Sequence, residues 1–244
     1  MIRMTVSRAR SLYLPIAVVL GIALSVAVFQ TLKGQATDGE VLNRELLTDY
    51  TLRHLVLVGL SFLAVAAIGV PLGVALAKTG RWLRVPVFLV ANLGQAVPSV
   101  GILVLFYAWF GLGLQPTLLA LALYGLLPVL RNTLVGVQSV DPAAVEAAQG
   151  MGMSRRQSLW RVELPLASPV IFAGLRTSLV LIVGTATLGS FVGAGGLGIV
   201  INSGINQSDR IVFVGAVMVA TLALLADWAL SLVERVVVPS RFAQ

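Results

Sequence analysis

The sequence predicts an all-α, polytopic transmembrane helical bundle, and three observations carry that prediction. Hydrophobic residues make up 58% of the 244-residue chain and charged residues 11%, against roughly a quarter charged in soluble domains. So few charges could not cover the surface of a soluble protein of this length. Apolar runs near the roughly 20 residues that a spanning helix needs recur along the chain. The Lys and Arg residues, finally, gather in alternate connections between those runs, the bias that orients membrane proteins.

Taken in order, the apolar runs predict about six spans, at residues 12–32, 55–77, 86–110, 116–137, 168–190 and 211–233. They make a single membrane domain over residues 1–244 with no room for a separate soluble one. The run at 12–32 follows an Arg-rich segment, as a signal peptide would. Its apolar length of about 20 residues exceeds the 7–15 of a cleavable signal core, so an uncleaved span is expected. Residues 191–208, "FVGAGGLGIVINSGINQS", are glycine-rich and too polar for a span. They predict a loop or a short interfacial helix.

The net charge of +7 follows the topology. Arg3, Arg8 and Arg10 precede the first span, and Lys78, Arg81 and Arg84 lie between the second and third. Arg131, Arg155, Arg156 and Arg161 surround residues 141–165, and Arg235 and Arg241 follow the last span. On the other side Lys33, Arg44, Arg53 and Arg210 are diluted by Asp38, Glu40, Glu45, Asp49 and Asp209. Both termini and residues 141–165 are therefore expected in the cytoplasm. Little positive charge is left over for nucleic acid. The chain has no cysteine, which excludes disulfides, thiol redox chemistry and cysteine metal sites.

Inside the spans, Gly69 and Gly73 flank Pro71 at a spacing that lets helices approach closely. Pro98 sits mid-span in the third run beside Asn92, Gln95 and Ser99. A proline there frees backbone groups that need partners in lipid, so this span is expected to face protein or a polar path. With Tyr107 and Tyr124, these residues form a candidate translocation path. No acidic residue lies inside the third or fourth span, which argues for an uncharged passage rather than a proton relay. Arg176 and Asp227 each lie about 12 Å in from the cytoplasmic boundary at 1.5 Å per residue. Matched depth and opposite sign predict a buried ion pair. His54, the only histidine, is expected at the membrane interface, and no second histidine or carboxylate pair suggests a metal site.

The stretch "DPAAVEAAQGMGMSRRQSLWRVELP", residues 141–165, breaks the apolar pattern. Asp141 followed by Pro142 is a helix start, a side-chain acceptor and then proline at the first helical position. Gly150 or Gly152 can supply the left-handed turn that ends such a helix. Ser154 and Gln157 form a capping-box pattern that starts a second helix, and Pro165 is expected to end or kink it. An ordinary amphipathic loop on lipid headgroups is the plainer alternative.

The residues of this stretch carry a resemblance. Glu146, Ala147, Ala148, then Gly152, Val162, Leu164 and Pro165 are similar to the EAA-x3-G-x9-I-x-LP motif of ABC importer permeases. Only Val162 for Ile departs from it. "IGVPLGVALA" at 68–77, "GQAVPSVGILVLF" at 94–106, "GLGLQPTLLALALYGLLPVLRNTLVGV" at 111–137 and "GSFVGAGGLG" at 189–198 resemble the permeases for glycine betaine, choline and related osmoprotectants such as carnitine. The resemblance implies a five-helix permease core of the type I importer kind in a bacterial inner membrane. It implies that 141–165 is a coupling loop, with Glu146, Ala147, Ala148, Gly150, Gly152, Leu164 and Pro165 as its coupling residues, docking on cytoplasmic ATPase subunits that hold ATP and Mg. It also implies an extracytoplasmic substrate-binding protein and a second permease copy or paralogue.

The chain lacks a G-x4-GK[ST] phosphate loop, so no cofactor is expected on it and it is not expected to be an enzyme. An intramembrane enzyme would need Ser-His, paired Asp or HExxH groups, which do not occur. A secondary transporter would carry inverted repeats and a midplane ion site, neither of which is visible. The alternative within transport is an amino-acid importer permease, which shares the EAA logic.

Overall fold

A computed structural model describes residues 38–205 and 207–238, and the single positions 19, 21, 23 and 30. Most of the first predicted span and both chain ends lie outside the described residues. Within them the chain is helical and contains no strand. The helices are α1 (Asp38–Val41), α2 (Arg44–Lys78), α3 (Arg81–Ala96), α4 (Ser99–Phe110) and α5 (Leu114–Gln138). They continue with α6 (Pro142–Gly150), α7 (Arg155–Ser158), α8 (Leu164–Thr185), α9 (Gly198–Ile205) and α10 (Asp209–Val237). A π turn, Leu159–Glu163, joins α7 to α8, and a 3-10 segment, Ala186–Val192, extends α8.

Four of these stretches are long and apolar enough to cross a membrane: α2, α5, Arg155–Val192 and α10. Counting α3 and α4 as one span makes five. The sequence predicts one kinked span at 86–110; the structure instead breaks it, with α3 and α4 bent by 103°. Proline lacks an N–H and drives the residue before it out of the helical region. Val97 (ψ 134°) and Pro98 (ψ 134°) are accordingly extended. Helix α2 also starts well before its apolar run. Asn43 caps it, its side chain accepting from Glu45 N–H at 2.9 Å. Hydropathy marks what meets lipid, whereas the cap marks where the helix begins.

Helix α5 is the centre of the bundle, packed between α2 and α8 with α3 and α4 alongside. Glycines set the spacing. A Cβ on Gly73 of α2 would stand 2.6 Å from Thr133 Cβ, and one on Gly174 of α8 would stand 2.5 Å from Asn132 Cβ. Both contacts are closer than real side chains tolerate, so these helices touch backbone to side chain. Leu121, Val129, Ile182 and Val183 fill the layer between them and are fully enclosed.

Past α8 the chain makes its glycine turn, with Gly193, Gly195 and Gly196 at positive φ, and folds back as the short α9 against α10. His54 is fully buried within the bundle. Its Nε2 lies 3.1 Å from the carbonyl oxygen of Val183, in the last turn of α8 before the helix tightens to 3-10. A carbonyl buried at such a junction needs a donor, and His54 reaches it from α2.

Candidate functional site

The soluble-looking stretch folds as a helix, a glycine turn and a second helix at the end of the bundle where α2 and α5 finish. Asp141 caps α6, its Oδ1 accepting from Ala143 N–H at 2.9 Å. Gly152, at φ +88°, makes the left-handed turn; Gly150 remains inside α6. The two candidates for the turn are thus separated. The Met153 N–H bonds back to the Ala148 carbonyl at 3.2 Å and closes it. At the start of α7 the capping box is complete. Ser154 N–H donates to Gln157 Oε1 at 2.8 Å, and Gln157 N–H donates to Ser154 Oγ at 3.3 Å.

Pro165 does not end the second helix. The helix widens at Leu159–Glu163 and runs on as α8, with Leu164 N–H bonded to the Leu159 carbonyl. Widening a turn before a proline moves the clashing carbonyl away from the ring, so the helix survives it. The second helix is therefore rigidly continuous with a spanning helix.

Exposure divides the loop in two. Glu146 and Ala147 lie open to solvent, as do Gly150, Gly152, Met151 and Trp160. Ala148, Ser158 and Glu163 are buried toward the bundle, and Leu164 and Pro165 are half-buried. Glu163 forms an ion pair with Lys78 at the end of α2. Glu146, Lys78 and Glu163 all line a cavity of about 320 Å³ between α6 and the ends of α2 and α5. The sequence marks Lys78 only as one of the charges between two spans and does not show its pairing with Glu163, because 85 residues separate them.

The candidate path residues are only partly brought together. Gln95 on α3 donates its amide to the Tyr124 carbonyl on α5 at 3.1 Å. Asn92 is exposed and bonds within its own helix, to the Phe88 carbonyl at 2.6 Å. Pro98 lies at the α3–α4 break with Ser99 beginning α4, and Tyr107 sits a turn from the far end of α4. Helix α8 keeps a bare stripe of small side chains, Ala173, Thr177, Val180 and Gly184, at three- and four-residue spacing. The interior charges meet across α8 and α10. Arg176 Nε lies 3.9 Å from Asp227 Oδ1, and its Nη2 lies 2.9 Å from Glu234 Oε2.

Five candidate spans, α5 at their centre, with a capped helix–turn–helix at one end, make a polytopic helical membrane protein. Residues 69–238 match the family model described as binding-protein-dependent transport system inner membrane component, and the chain belongs to that family. Among curated relatives it is similar to the osmoprotectant import permease protein OsmW of Salmonella typhimurium, at 39% identity over 81% of this chain and 94% of that one. It is 41% identical to the carnitine transport permease protein OpuCD of Listeria monocytogenes, over 77% of this chain and 84% of the relative. It is likewise 41% identical to the glycine betaine/carnitine/choline transport system permease protein OpuCD of Bacillus subtilis, over 77% and 82%. Among solved structures, an inward-facing form of the MetNI methionine ABC transporter superposes with a TM-score of 0.70. That match has 23% identity and covers 79% of this chain and 96% of that chain, and it establishes the type I importer permease fold. The chain is a multi-pass membrane permease subunit, a transport component and not an enzyme.

Proposed function

We propose that the chain forms the translocation path of an ATP-driven importer for osmoprotectants, quaternary amines of the glycine betaine, choline and carnitine type. The observation that carries the substrate class is the set of curated permeases near 40% identity over most of both chains, all of them named for osmoprotectants or such compounds. The structural neighbours named for amino-acid transport are less than 25% identical and speak to fold alone.

In this reading α6, α7 and the turn between them are the coupling loop. Glu146, Ala147, Gly150 and Gly152 present the exposed surface to cytoplasmic ATPase subunits, which hold ATP and Mg. Ala148, Leu164 and Pro165 anchor the loop to the bundle. Both termini then lie in the cytoplasm. A second permease copy or paralogue faces this one across the bare stripe of α8. An extracytoplasmic binding protein delivers substrate to the opposite end. Asn92, Gln95, Pro98, Ser99, Tyr107 and Tyr124 contribute an uncharged passage on the α3–α4–α5 side.

The test is reconstitution of the permease in liposomes with its ATPase and binding protein. ATP-dependent uptake of labelled glycine betaine, carnitine or choline is expected, and methionine should not compete. Uptake of amino acids instead, or uptake without ATP, would overturn the reading.

A further inference from the structure

The ion pair between Lys78 and Glu163 owes its position to the π turn. Residues five apart in an α-helix point roughly 140° away from each other. The wider turn at Leu159–Glu163 instead brings Ser158 and Glu163 onto one face, and both are buried. Ala167 and Ile171, each four residues further on, continue that face along α8 as apolar core. Glu163 thus puts a carboxylate, 4% exposed, where α8 otherwise buries hydrocarbon. A buried charge in that position is strongly unfavourable unless paired. Lys78 pairs it from the last turn of α2.

The pair also spans a gap. Beside it lies the cavity lined by Pro142, Val145 and Glu146 of α6 and by Val137 and Gln138 of α5. Across that cavity α6 stands off the end of α2, and the ion pair bridges α2 to the π turn between α7 and α8.

We propose that Lys78 and Glu163 are positioning residues that clamp the coupling loop to α2. The loop is joined covalently to α8. With the clamp it is joined to α2 as well, and α2 packs on α5 through Gly69 and Gly73. A displacement imposed on the loop then moves these three helices as one body. This inference rests on the coupling role proposed above for residues 141–165.

The chain has no cysteine, so in a full complex whose other subunits are made cysteine-free, and which carries one labelled copy of this chain, spin labels at Thr79→Cys and Arg161→Cys report a single distance. That distance should be the same and narrowly distributed in the nucleotide-free and ATP-bound states. Lys78→Met should broaden it, and the exchanged pair Lys78→Glu/Glu163→Lys should narrow it again. Uptake per ATP hydrolysed should fall about tenfold in Lys78→Met, with ATPase co-purification unchanged. Because an unpaired Glu163 can hinder folding, Lys78→Met/Glu163→Gln, which removes both charges, serves as a second probe and should broaden the distance likewise. A wild-type distance that changes with nucleotide, or variants as narrow as wild type, overturns the clamp. A wild-type complex that moves loop and α2 together but takes up no betaine would sink the substrate reading and leave the clamp standing.

Discussion

Arg176 passes over Asp227 to reach Glu234. Its Nη2 is 2.9 Å from Glu234 Oε2, whereas its Nε is 3.9 Å from Asp227 Oδ1. The two carboxylates lie seven residues apart, so they share one face of α10 two turns from each other. Matching the depths of Cα atoms selects Asp227, but a long guanidinium stem extends along the helix toward the membrane surface. Side-chain reach, not depth alone, decides the closer partner.

The first prediction follows from these distances. Glu234→Gln should lower the unfolding temperature of the purified permease more than Asp227→Asn does. Exposed pairs contribute at most about 1 kcal/mol, and breaking a buried one costs roughly 3–5 kcal/mol. With each side chain a quarter to a third exposed, an Arg176–Glu234 coupling of about 2 kcal/mol is expected between those limits. A double-mutant cycle that gives Asp227 the larger coupling energy would reverse the assignment.

A second prediction separates the two glycines of the turn. Gly152 has φ +88° and open space around it, while Gly150 is helical and equally open. A side chain at 152 therefore costs backbone strain alone, about 1–2 kcal/mol for an ordinary residue and more for a β-branched one. Gly150→Ala should leave stability and uptake near wild type. Gly152→Val should insert normally into the membrane and yet lose most ATP-driven uptake. Equal uptake by both variants would show that the left-handed turn is dispensable.

Local chemistry explains why this part of the molecule was legible in sequence. Asp141 with Pro142, and Ser154 with Gln157, find their partners within three residues, so capping could be read directly. What escaped was either long-range or hidden by uniform hydropathy. Lys78 and Glu163 are 85 residues apart, and His54 and Val183 are 129 apart. A lone histidine near the end of an apolar run reads as interfacial, and nothing in the sequence names the carbonyl it serves. The α3–α4 break is apolar on both sides, so a hydropathy window runs straight through it, and Pro98 alone does not say whether a helix kinks or turns by 103°. All the path residues except Tyr124 fall within one predicted span, where polarity marks them. The break then divided them between two helices, and only Gln95 and Tyr124 are joined by a hydrogen bond.

A third prediction tests the glycine contacts that set the helix spacing. Gly174→Ala would place a methyl 2.5 Å from Asn132 Cβ and 2.8 Å from the Pro128 carbonyl oxygen, neither of which is a free side-chain end. Overpacking of this kind costs about 1–3 kcal/mol, so α5 and α8 should separate and the unfolding temperature should fall. Gly59→Ala in α2 meets nothing within 4 Å and should instead stabilise, by roughly 0.5–1 kcal/mol. Thermal unfolding of both variants in the same detergent checks the pair; a tolerated Gly174→Ala would mean the interface is looser than its distances.

The last prediction concerns where substrate selectivity resides. Quaternary ammonium groups are recognised by aromatic cages, in which several rings face one centre through cation–π attraction. The aromatic residues on and beside the candidate path are not so arranged. Tyr107 and Trp109 lie two positions apart on α4 and so point away from each other, at 41% and 82% exposure. Tyr124 is on α5, where it is its backbone carbonyl that accepts from Gln95. Among the described residues the only close ring pair is Phe106 with Phe110, 6.0 Å apart and one turn from each other on α4. A passage of this kind should bind substrate weakly, with high affinity supplied by the extracytoplasmic binding protein. Titration of glycine betaine, carnitine and choline into the purified permease should therefore give no saturable binding in the micromolar range, and addition of the loaded binding protein should restore uptake by the reconstituted complex. Tyr124→Ala should change the turnover of that complex more than its apparent affinity for substrate, because affinity is set before the substrate enters this chain. A tight site on the isolated permease that Tyr107→Ala or Tyr124→Ala abolishes would place selectivity inside the membrane after all.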